Sequence, residues 1–462
     1  MNTHDNLSIC YIGGGSRQWA WVLMKDLATE RECAGTIRLY DIDFEAARAN
    51  EIIGNRLMEK HNPGRWKFVA VSEIGEALEG SDFVFVSILP RDFEEMAVDV
   101  HLPEKFGIWQ SVGDTVGPGG LMRALRTVPM FRTIAREIRS HAPNAWVFNY
   151  TNPMTICTRT LYREFPAIKA FGCCHEVFGA QKLLAKTIEL AGLAKKGEVK
   201  RKDITANVIG INHFTWIDRA SWKGIDLFTI YGDFAERYAA DGFDGGGDDN
   251  WLNSFFSSME RVKLDLFKRF GIIAAAGDRH LAEFCPPSWY LESPERAKEW
   301  KFTLTPVSFR IKQREDLRAK SLAYRSLSEE MTPSDSGEEG IAQMKALLGL
   351  GNLVTNVNLP NRGQMPGFPE HAVVETNALF SRDSVQPVQT AEMGEALKTL
   401  TLQHVGNQEG IVEAAFDHDL EKAFLVFLND SQVRKLGLKN ARELFDEMTL
   451  KTLLPIDGYG EN

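Results

Sequence analysis

Two short segments carry side chains that could bind one metal ion between them. Cys174 follows the apolar run that ends in Phe171-Gly172, and His213 follows the apolar run that ends in Ile211-Asn212. One sulfur and one imidazole suit a borderline divalent metal, and two protein ligands would leave positions for substrate oxygens. The alternative is a buried cysteine and an ordinary core histidine, because this wide spacing lacks the specificity of a paired zinc motif.

A second chemical signal lies at the amino terminus. The apolar run Leu7 to Ile12 predicts a strand, and it leads through Gly13, Gly15 and Ser16 into a helical pattern. Glycines at such a turn let the backbone approach a pyrophosphate, whose charge the helix amino terminus favours. The third glycine of the dinucleotide fingerprint is absent, since Gln18 stands in its place.

The next predicted strand, Thr36 to Tyr40, ends in the acidic residues Asp41 and Asp43. A dinucleotide fold places a carboxylate there to bind the ribose hydroxyls, and its charge would repel the 2′-phosphate of NADP. The two segments together predict an NAD site that contains Gly13, Gly15, Ser16, Asp41 and Asp43. The alternative is a tight turn beside a solvated acidic loop.

The elements that would position these side chains form an α/β pattern. Strands and helices alternate up to Gly172, and Phe83 to Ile88 is apolar on both faces, as a central parallel strand is. Beyond the charged stretch Lys195 to Asp203, the pattern changes to paired strands and longer helical stretches. We therefore expect a Rossmann-like doubly wound parallel sheet with a second α+β lobe. The predicted division is an NAD-binding domain over residues 1–198 and a substrate, metal and oligomerisation domain over 199–462.

Three irregular stretches have local interpretations. The glycines and proline of Ile108 to Gly120 predict a loop, with a helix beginning at Leu121. Pro153 suits the first turn of a helix, so Asn152 would cap that helix or bind a ligand hydroxyl. Asp278 would either cap a helix or serve as an ionisable group in the site. The stretch Gly242 to Asp249 predicts an acidic glycine-rich loop.

Composition limits the class of protein. The 462 residues carry a net charge of −10, which argues against a nucleic-acid partner. No apolar run is long enough to cross a bilayer, and Met1 to Asn6 lacks a basic and apolar leader, so we expect a cytoplasmic protein without a membrane partner. Six cysteines in this length predict no structural disulfide in that compartment.

Taken together, the motifs resemble one known family. The glycine turn, V-G-P-G-G-L-M-R-A-L-R-T-V-P from Val116, N-Y-T-N-P-M, C-H-E-V and N-H-F-T-W occur in the order found in glycoside hydrolase family 4. The resemblance implies an NAD-dependent glycosidase with a divalent metal, typically manganese. It also implies oxidation of the sugar at C-3, metal-assisted deprotonation at C-2, elimination of the glycosidic oxygen, hydration and re-reduction, in place of two flanking carboxylates.

The resemblance also assigns site residues. It implies that Cys174 and His213 bind the metal, that Asn152 contacts the sugar, that Asp278 is the base at C-2 and that His175 is the acid. The C-H-E-V motif resembles the branch that acts on α-linked uronic acids, with α-galacturonidase favoured over α-glucuronidase. The cation that binds the sugar carboxylate stays open among four residues: Arg279, His280, Arg91 and Arg123.

Two other functions share the opening fold. An NAD-dependent dehydrogenase of a sugar acid would consume its cofactor stoichiometrically, and a sensor would bind the dinucleotide without chemistry. Relatives in the family associate, so we expect a homodimer or homotetramer.

Overall fold

The computed structural model describes residues 4–244 and 258–453, and the first part of the chain alternates strands with helices, as predicted. Its strands are β1 (His4–Ile12), β2 (Cys33–Tyr40), β3 (Trp66–Val71), β4 (Phe83–Val86), β5 (Trp146–Asn149) and β6 (Lys169–Gly172). Its helices are α1 (Trp19–Leu27), α2 (Phe44–His61), α3 (Ile74–Leu78), α4 (Phe93–His101), α5 (Gly117–His141), α6 (Met154–Glu164) and α7 (Glu176–Leu190).

The six strands form one parallel sheet in the order β6-β5-β4-β1-β2-β3. Every residue of β4 is buried, because this strand lies between β1 and β5 under helices. The strand order reverses between β1 and β4, and ligands of open α/β sheets bind at the carboxyl ends of strands at such a reversal. The glycine turn after β1 lies at this point, so the predicted doubly wound Rossmann-like sheet is confirmed.

The second part of the chain supplies seven strands and ten helices within the described residues. The strands are β7 (Thr205–Ile211), β8 (Phe214–Trp222), β9 (Ile225–Asp226), β10 (Ile273–Ala274), β11 (Leu353–Pro360), β12 (Val373–Ser381) and β13 (Ser384–Pro387). The helices are α8 (Leu227–Tyr238), α9 (Arg261–Phe270), α10 (Asp278–Phe284), α11 (Pro287–Tyr290), α12 (Pro294–Glu299), α13 (Val307–Ser326), α14 (Gly340–Leu347), α15 (Glu395–Asp417), α16 (Leu420–Asn429) and α17 (Leu438–Thr452).

These strands go to two sheets. Strands β11, β12 and β13 extend the large sheet beyond β6 in antiparallel fashion, with Asn358 paired to Gly172. Strands β7 and β8 form a hairpin flanked by β9 and β10 in the small sheet. The predicted boundary at residue 198 therefore separates two stretches of sequence that share the large sheet, and the division into two domains stays a prediction.

The β7–β8 hairpin places His213 at its tip. Ile211 pairs with Phe214, so Asn212 and His213 form a two-residue turn. His213 has a φ of 65°, a left-handed conformation that is uncommon for a residue with a side chain. At this tip the imidazole meets the loop before α5, where Thr115 Oγ1 lies 2.8 Å from His213 Nδ1.

One local prediction is wrong, and one of two alternatives is excluded. Helix α5 begins at Gly117, three residues before the predicted end of the loop, with Pro118 in its first turn. A β-carbon on Gly120 would lie 2.4 Å from the carbonyl carbon of Thr115, so the glycines let this helix start pack onto the loop. Helix α6 begins at Met154 with Pro153 as its N-cap residue, so Asn152 does not cap it.

Some expectations concern the chain as a whole. Of the predicted acidic loop at Gly242 to Asp249, residues 245–249 lie outside the described residues. None of the helices in residues 4–244 and 258–453 is long and apolar enough to cross a membrane. All six cysteines are free thiols.

Candidate active site

The glycine turn after β1 is held tightly from three sides. The N–H groups of Gly13 and Gly14 both donate to the Tyr40 carbonyl, at 2.9 and 2.8 Å. Asn50 on α2 donates its amide to the carbonyls of Gly14 and Ser16, at 2.8 and 2.9 Å. Gly13 has a φ of 91°, and a β-carbon there would lie 2.0 Å from the Ser87 carbonyl oxygen. Only glycine fits at this position.

The carboxylates of the two acidic residues after β2 accept hydrogen bonds from nearby backbone N–H groups. Asp41 accepts from the Gly15 N–H at 2.8 Å and from the Asp43 N–H at 2.9 Å. Asp43 is the N-cap of α2, where it accepts from the Ala46 N–H at 3.1 Å. Burial raises the pKa of Asp41, although the two backbone donors lower it. The two carboxylates therefore shape the turn, and their contacts with a ribose stay a prediction.

The turn fits a dinucleotide phosphate on two counts. The first turn of α1 carries no acidic residue, so no carboxylate of its own offsets the positive end of the helix dipole. Ser16 Oγ accepts from the Trp19 N–H at 3.2 Å, which leaves its hydroxyl proton for an acceptor outside the helix. Gly13, Gly15 and Ser16 could thus hold the pyrophosphate of NAD.

Gly15→Ala is expected to weaken NAD binding. The new β-carbon would lie 2.7 Å from Ala46 Cβ and 2.8 Å from Asp41 Oδ2, so the turn must move. Overpacking of this kind costs about 1–3 kcal/mol, and we expect the Kd for NAD to rise about tenfold or more. Titration calorimetry measures it, with Gly406→Ala, which meets no atom within 4 Å on α15, as the control. An unchanged Kd for Gly15→Ala would contradict the assignment.

His213 belongs to a group of three potential metal ligands. Ligand atoms of Asp114, His213 and His280 all lie within 4.8 Å of one another. Thr115 Oγ1 lies 2.8 Å from His213 Nδ1, so Nε2 is the nitrogen left for a metal. The His213 and His280 rings stack with centroids 3.8 Å apart, and the buried Nδ1 of His280 has no hydrogen-bond partner in the part of the chain that the structure describes. A carboxylate and two imidazoles form a donor set that suits a divalent transition metal.

The charge states of this group favour a cation. Burial and the neighbouring His280 lower the pKa of His213 to about 3, so the imidazole is neutral with a free lone pair. Burial alone would raise the pKa of Asp114, but His213, His280 and Arg123 bring it below its ordinary value. The loop 108–116, which the glycines and proline of the sequence predicted, thus supplies a carboxylate that sequence reasoning did not assign.

Cys174, the predicted sulfur ligand, is connected to Asn212 and His213 through Asn356 and Glu375. It follows β6, and burial raises the pKa of its thiol well above the ordinary value, with Glu375 and Glu176 adding to the rise. The neighbouring Asn212 side chain opposes this rise in the pKa. A bound cation would reverse this shift, because a coordinated thiol loses its proton. The pairing of Cys174 with His213 on one metal stays a prediction.

Glu375 on β12 joins the two segments and was not predicted. Its carboxylate accepts from the amides of Asn212 at 3.1 Å, Asn356 at 2.7 Å and Asn358 at 3.1 Å. Asn356 also donates to the Cys174 carbonyl at 3.0 Å. Polar residues within two otherwise apolar strands, N-V-N and V-E-T-N, were the available signal.

His175 and Glu176 line an open cleft of about 770 Å³ beside this group, together with Gly277. His175 Nδ1 lies 3.2 Å from a Glu338 carboxylate oxygen. Glu176 accepts from the Gly277 N–H at 2.7 Å, and its other oxygen lies 3.8 Å from His280 Nε2. Burial alone would raise the pKa of Glu176, but the histidines and this N–H lower it to about 2.

Asp278 begins α10 and is fully buried. One carboxylate oxygen accepts from the Val262 N–H at 3.1 Å and the other from the Lys263 N–H at 3.0 Å, at the start of α9. Burial raises its pKa, although Lys263 lowers it. Each oxygen keeps a second lone pair, so a role as base is compatible with these bonds and stays a prediction.

Two predicted substrate contacts differ in their surroundings. Asn152 Oδ1 is buried and has no hydrogen-bond partner among residues 4–244 and 258–453, as expected for an atom that meets a ligand. Arg279 instead donates Nε to the Thr303 carbonyl at 2.9 Å, and its Nη2 bonds to the Ser111 carbonyl and the Thr305 hydroxyl. These bonds fasten the loop 108–116 to the segment before α13, and contact between Arg279 and a sugar stays a prediction.

Glu283 on α10 fixes the same loop. Its Oε1 accepts from the N–H groups of Val112 at 2.7 Å and Gly113 at 2.9 Å. Burial raises the pKa of Glu283 from 4.5 to about 8; Asp114 adds to the rise and Arg279 opposes it. The protonated form is therefore favoured in the folded protein.

A pH dependence of stability follows. The folded pKa exceeds the unfolded value, so this stabilisation is complete below pH 4.5 and is lost as the pH rises towards about 8. Glu283→Gln keeps an acceptor oxygen but cannot ionise, so its free energy of unfolding should increase relative to the wild type across that interval. Denaturant titrations at several pH values measure the difference. Parallel curves for the two proteins would rule the effect out.

Comparisons with known proteins agree with these features. The family model "Family 4 glycosyl hydrolase" matches residues 8–190, and "Family 4 glycosyl hydrolase C-terminal domain" matches residues 208–433. The chain is 56% identical to an alpha-galacturonidase of Thermoanaerobacter italicus over 96% of both chains. It is 49% identical to an alpha-galacturonidase of Bacillus subtilis, over 97% of this chain and 98% of the relative.

Solved structures show the same fold. A Bacillus subtilis protein at 49% identity superposes with a TM-score of 0.91, over 96% of this chain and all of that one. A 6-phospho-alpha-glucosidase from gut microorganisms, in complex with NAD and Mn²⁺, superposes with a TM-score of 0.80 at 20% identity. That alignment covers 97% of this chain and 98% of the other.

Proposed function

Because the chain belongs to family 4 of the glycosyl hydrolases, we propose that it is an α-galacturonidase, an NAD- and manganese-dependent enzyme that hydrolyses α-linked galacturonic acid. The observation that carries the proposal is the 56% identity to an alpha-galacturonidase over 96% of both chains. The donor group of Asp114, His213 and His280 and the glycine turn support it, because they supply sites for a cation and a dinucleotide. α-Glucuronidase is the alternative within the family.

The two cofactors supply complementary chemistry when bound. NAD would accept the hydride from C-3 of the sugar, and manganese would polarise the adjacent oxygens so that the C-2 proton becomes acidic. We propose that Cys174 and His213 hold the metal, with Asp114 and His280 as further donors. Asn152 orients the sugar through its unpartnered Oδ1. Glu375, through the amides of Asn212 and Asn356, keeps the segments that carry Cys174 and His213 in register.

Proton transfers fall to two residues in this proposal. Asp278 takes the C-2 proton, supported by its burial and by the free lone pairs on its oxygens. His175 donates to the leaving oxygen, supported by its place on the open cleft and by the carboxylate of Glu338 at 3.2 Å, which orients the ring.

We also propose that the enzyme works in the cytoplasm as a homodimer or homotetramer. Six free thiols are typical of a reducing compartment, which would also keep Cys174 available as a ligand. Gel filtration with light scattering measures the assembly.

The function is tested with a panel of aryl α-glycosides in the presence of manganese, NAD and a reductant. The panel holds the galacturonide, the glucuronide, the galactoside and the 6-phosphoglucoside. Preferential release from the galacturonide is the expected result. Release from the phosphorylated glucoside alone would overturn the substrate assignment, and release from the glucuronide alone would favour the alternative.

A further inference from the structure

Arg123, the seventh residue of α5, carries a buried guanidinium group that makes few contacts. Its side chain is 7% exposed. Within the described residues it makes one hydrogen bond, from Nε to the Asn152 carbonyl at 3.2 Å, and no ion pair within 4.0 Å. Its two terminal nitrogens therefore have no hydrogen-bond partner in that part of the chain.

A buried charge without an ion pair is costly, so an anion is expected to approach it. Burial lowers the pKa of Arg123, and the carboxylate of Asp114 is the largest influence that opposes this shift. Arg310, in the first turn of α13, also feels Asp114 and repels Arg123. Asp114, the carboxylate that acts on both guanidinium groups, also belongs to the metal-ligand group. The guanidinium of Arg123 itself has no ion pair among the described residues, so a bound anion would offset its charge.

Two of the other cations considered from the sequence are engaged elsewhere. Arg279 uses its nitrogens on the Thr303 and Ser111 carbonyls and the Thr305 hydroxyl. His280 stacks on His213 within the metal-ligand group. Arg123, in contrast, is bonded to the backbone of Asn152, the residue whose unpartnered Oδ1 points to a sugar contact.

We propose that Arg123 binds the C-6 carboxylate of the uronic acid and sets the preference for an acid over a neutral sugar. The inference rests on the proposed function and adds the residue that selects the substrate class. The bond from Nε to the Asn152 carbonyl fixes the plane of the guanidinium, which leaves Nη1 and Nη2 for the two carboxylate oxygens. Such a bidentate pair is stronger and more directional than a single charged contact.

The test compares Arg123→Met, Arg123→Lys and the control Arg136→Met on two substrates. The substrates are an aryl α-galacturonide and an aryl α-galactoside, which differ in a carboxylate and a hydroxymethyl group. Arg136 lies on the same helix, half exposed, in an ion pair with Glu164. For Arg123→Met we expect kcat/KM on the galacturonide to fall about 100-fold relative to its value on the galactoside, the loss of one charge-assisted pair. Arg123→Lys should recover part of that ratio, and Arg136→Met should leave it unchanged.

Thermal unfolding supplies a readout that a purely structural role would not give. Without ligand, Arg123→Met should unfold at the wild-type temperature or above it, because an uncompensated buried charge is removed. Galacturonic acid should raise the unfolding temperature of the wild type and not that of the variant. If the variant keeps the wild-type ratio of kcat/KM values, or is stabilised by galacturonic acid to the same extent, the inference is wrong. If the wild type does not act on galacturonides at all, the proposed function fails instead.

Discussion

Removing His213 or Cys174 is expected to abolish nearly all activity while leaving the fold and the NAD site intact. His213→Ala removes the imidazole at the tip of the β7–β8 hairpin, and Cys174→Ser removes the sulfur after β6. Lewis-acid polarisation is worth several kcal/mol of charge stabilisation, so kcat/KM on the galacturonide should fall about 10³-fold or more. Manganese affinity, followed by electron paramagnetic resonance on the substrate-free protein, should fall with it.

Matched variants separate loss of the metal from loss of the fold. Cys173→Ser alters the neighbouring thiol, which donates to Gln343 at 3.3 Å. His141→Ala alters a partly exposed histidine near the end of α5. Both controls should keep wild-type manganese affinity. If Cys174→Ser also binds manganese normally while His213→Ala does not, the metal is held by Asp114, His213 and His280 without the sulfur.

Removing NAD should abolish hydrolysis as completely as removing the metal. Protein freed of nucleotide is expected to be inactive on the galacturonide, and NAD in an amount far below the substrate should restore many turnovers. The hydride taken from C-3 returns in the same cycle, so reduced nicotinamide should not accumulate. Absorbance of the reduced cofactor and release of the aryl group, followed together, measure both quantities.

The same measurement distinguishes the rival function. A dehydrogenase acting on a sugar acid would reduce one NAD for each substrate consumed, and it would stop when NAD is exhausted. Accumulation of reduced nicotinamide in step with substrate loss would therefore contradict the glycosidase mechanism. A requirement for NAD without turnover of any glycoside would favour a sensor.

The parts of the fold that depend on local pattern could be predicted from the sequence. The run Phe83–Val86 is apolar on both faces because both faces are covered, and it is the buried β4. The glycine turn could be predicted for a similar reason, because Gly13 has a left-handed conformation in which a β-carbon would clash with Ser87. Short-range chemistry of this kind leaves a trace in adjacent residues.

Long-range contacts could not be predicted in the same way. Asp114 reaches His213 across 99 positions of sequence, and its neighbours suggested only a glycine-rich loop. Glu375 is a single acidic residue in a strand. Its carboxylate acts by accepting hydrogen bonds from three asparagines, which the pairing of β11 with β12 and the β7–β8 turn bring to it. The start of α5 was misplaced because glycine density suggested a loop, whereas the glycines serve close packing of a helix on Thr115.

The central claim is that the glycosidic bond breaks after a proton leaves C-2 of the sugar. Hydrolysis of the aryl α-galacturonide in deuterium oxide, with NAD and manganese present, tests it through the hydrogen at C-2 of the released galacturonic acid. Deuterium at C-2, detected by nuclear magnetic resonance, is the predicted result, because the proton removed there is replaced from solvent. Complete retention of the original hydrogen at C-2 during rapid hydrolysis would contradict the account.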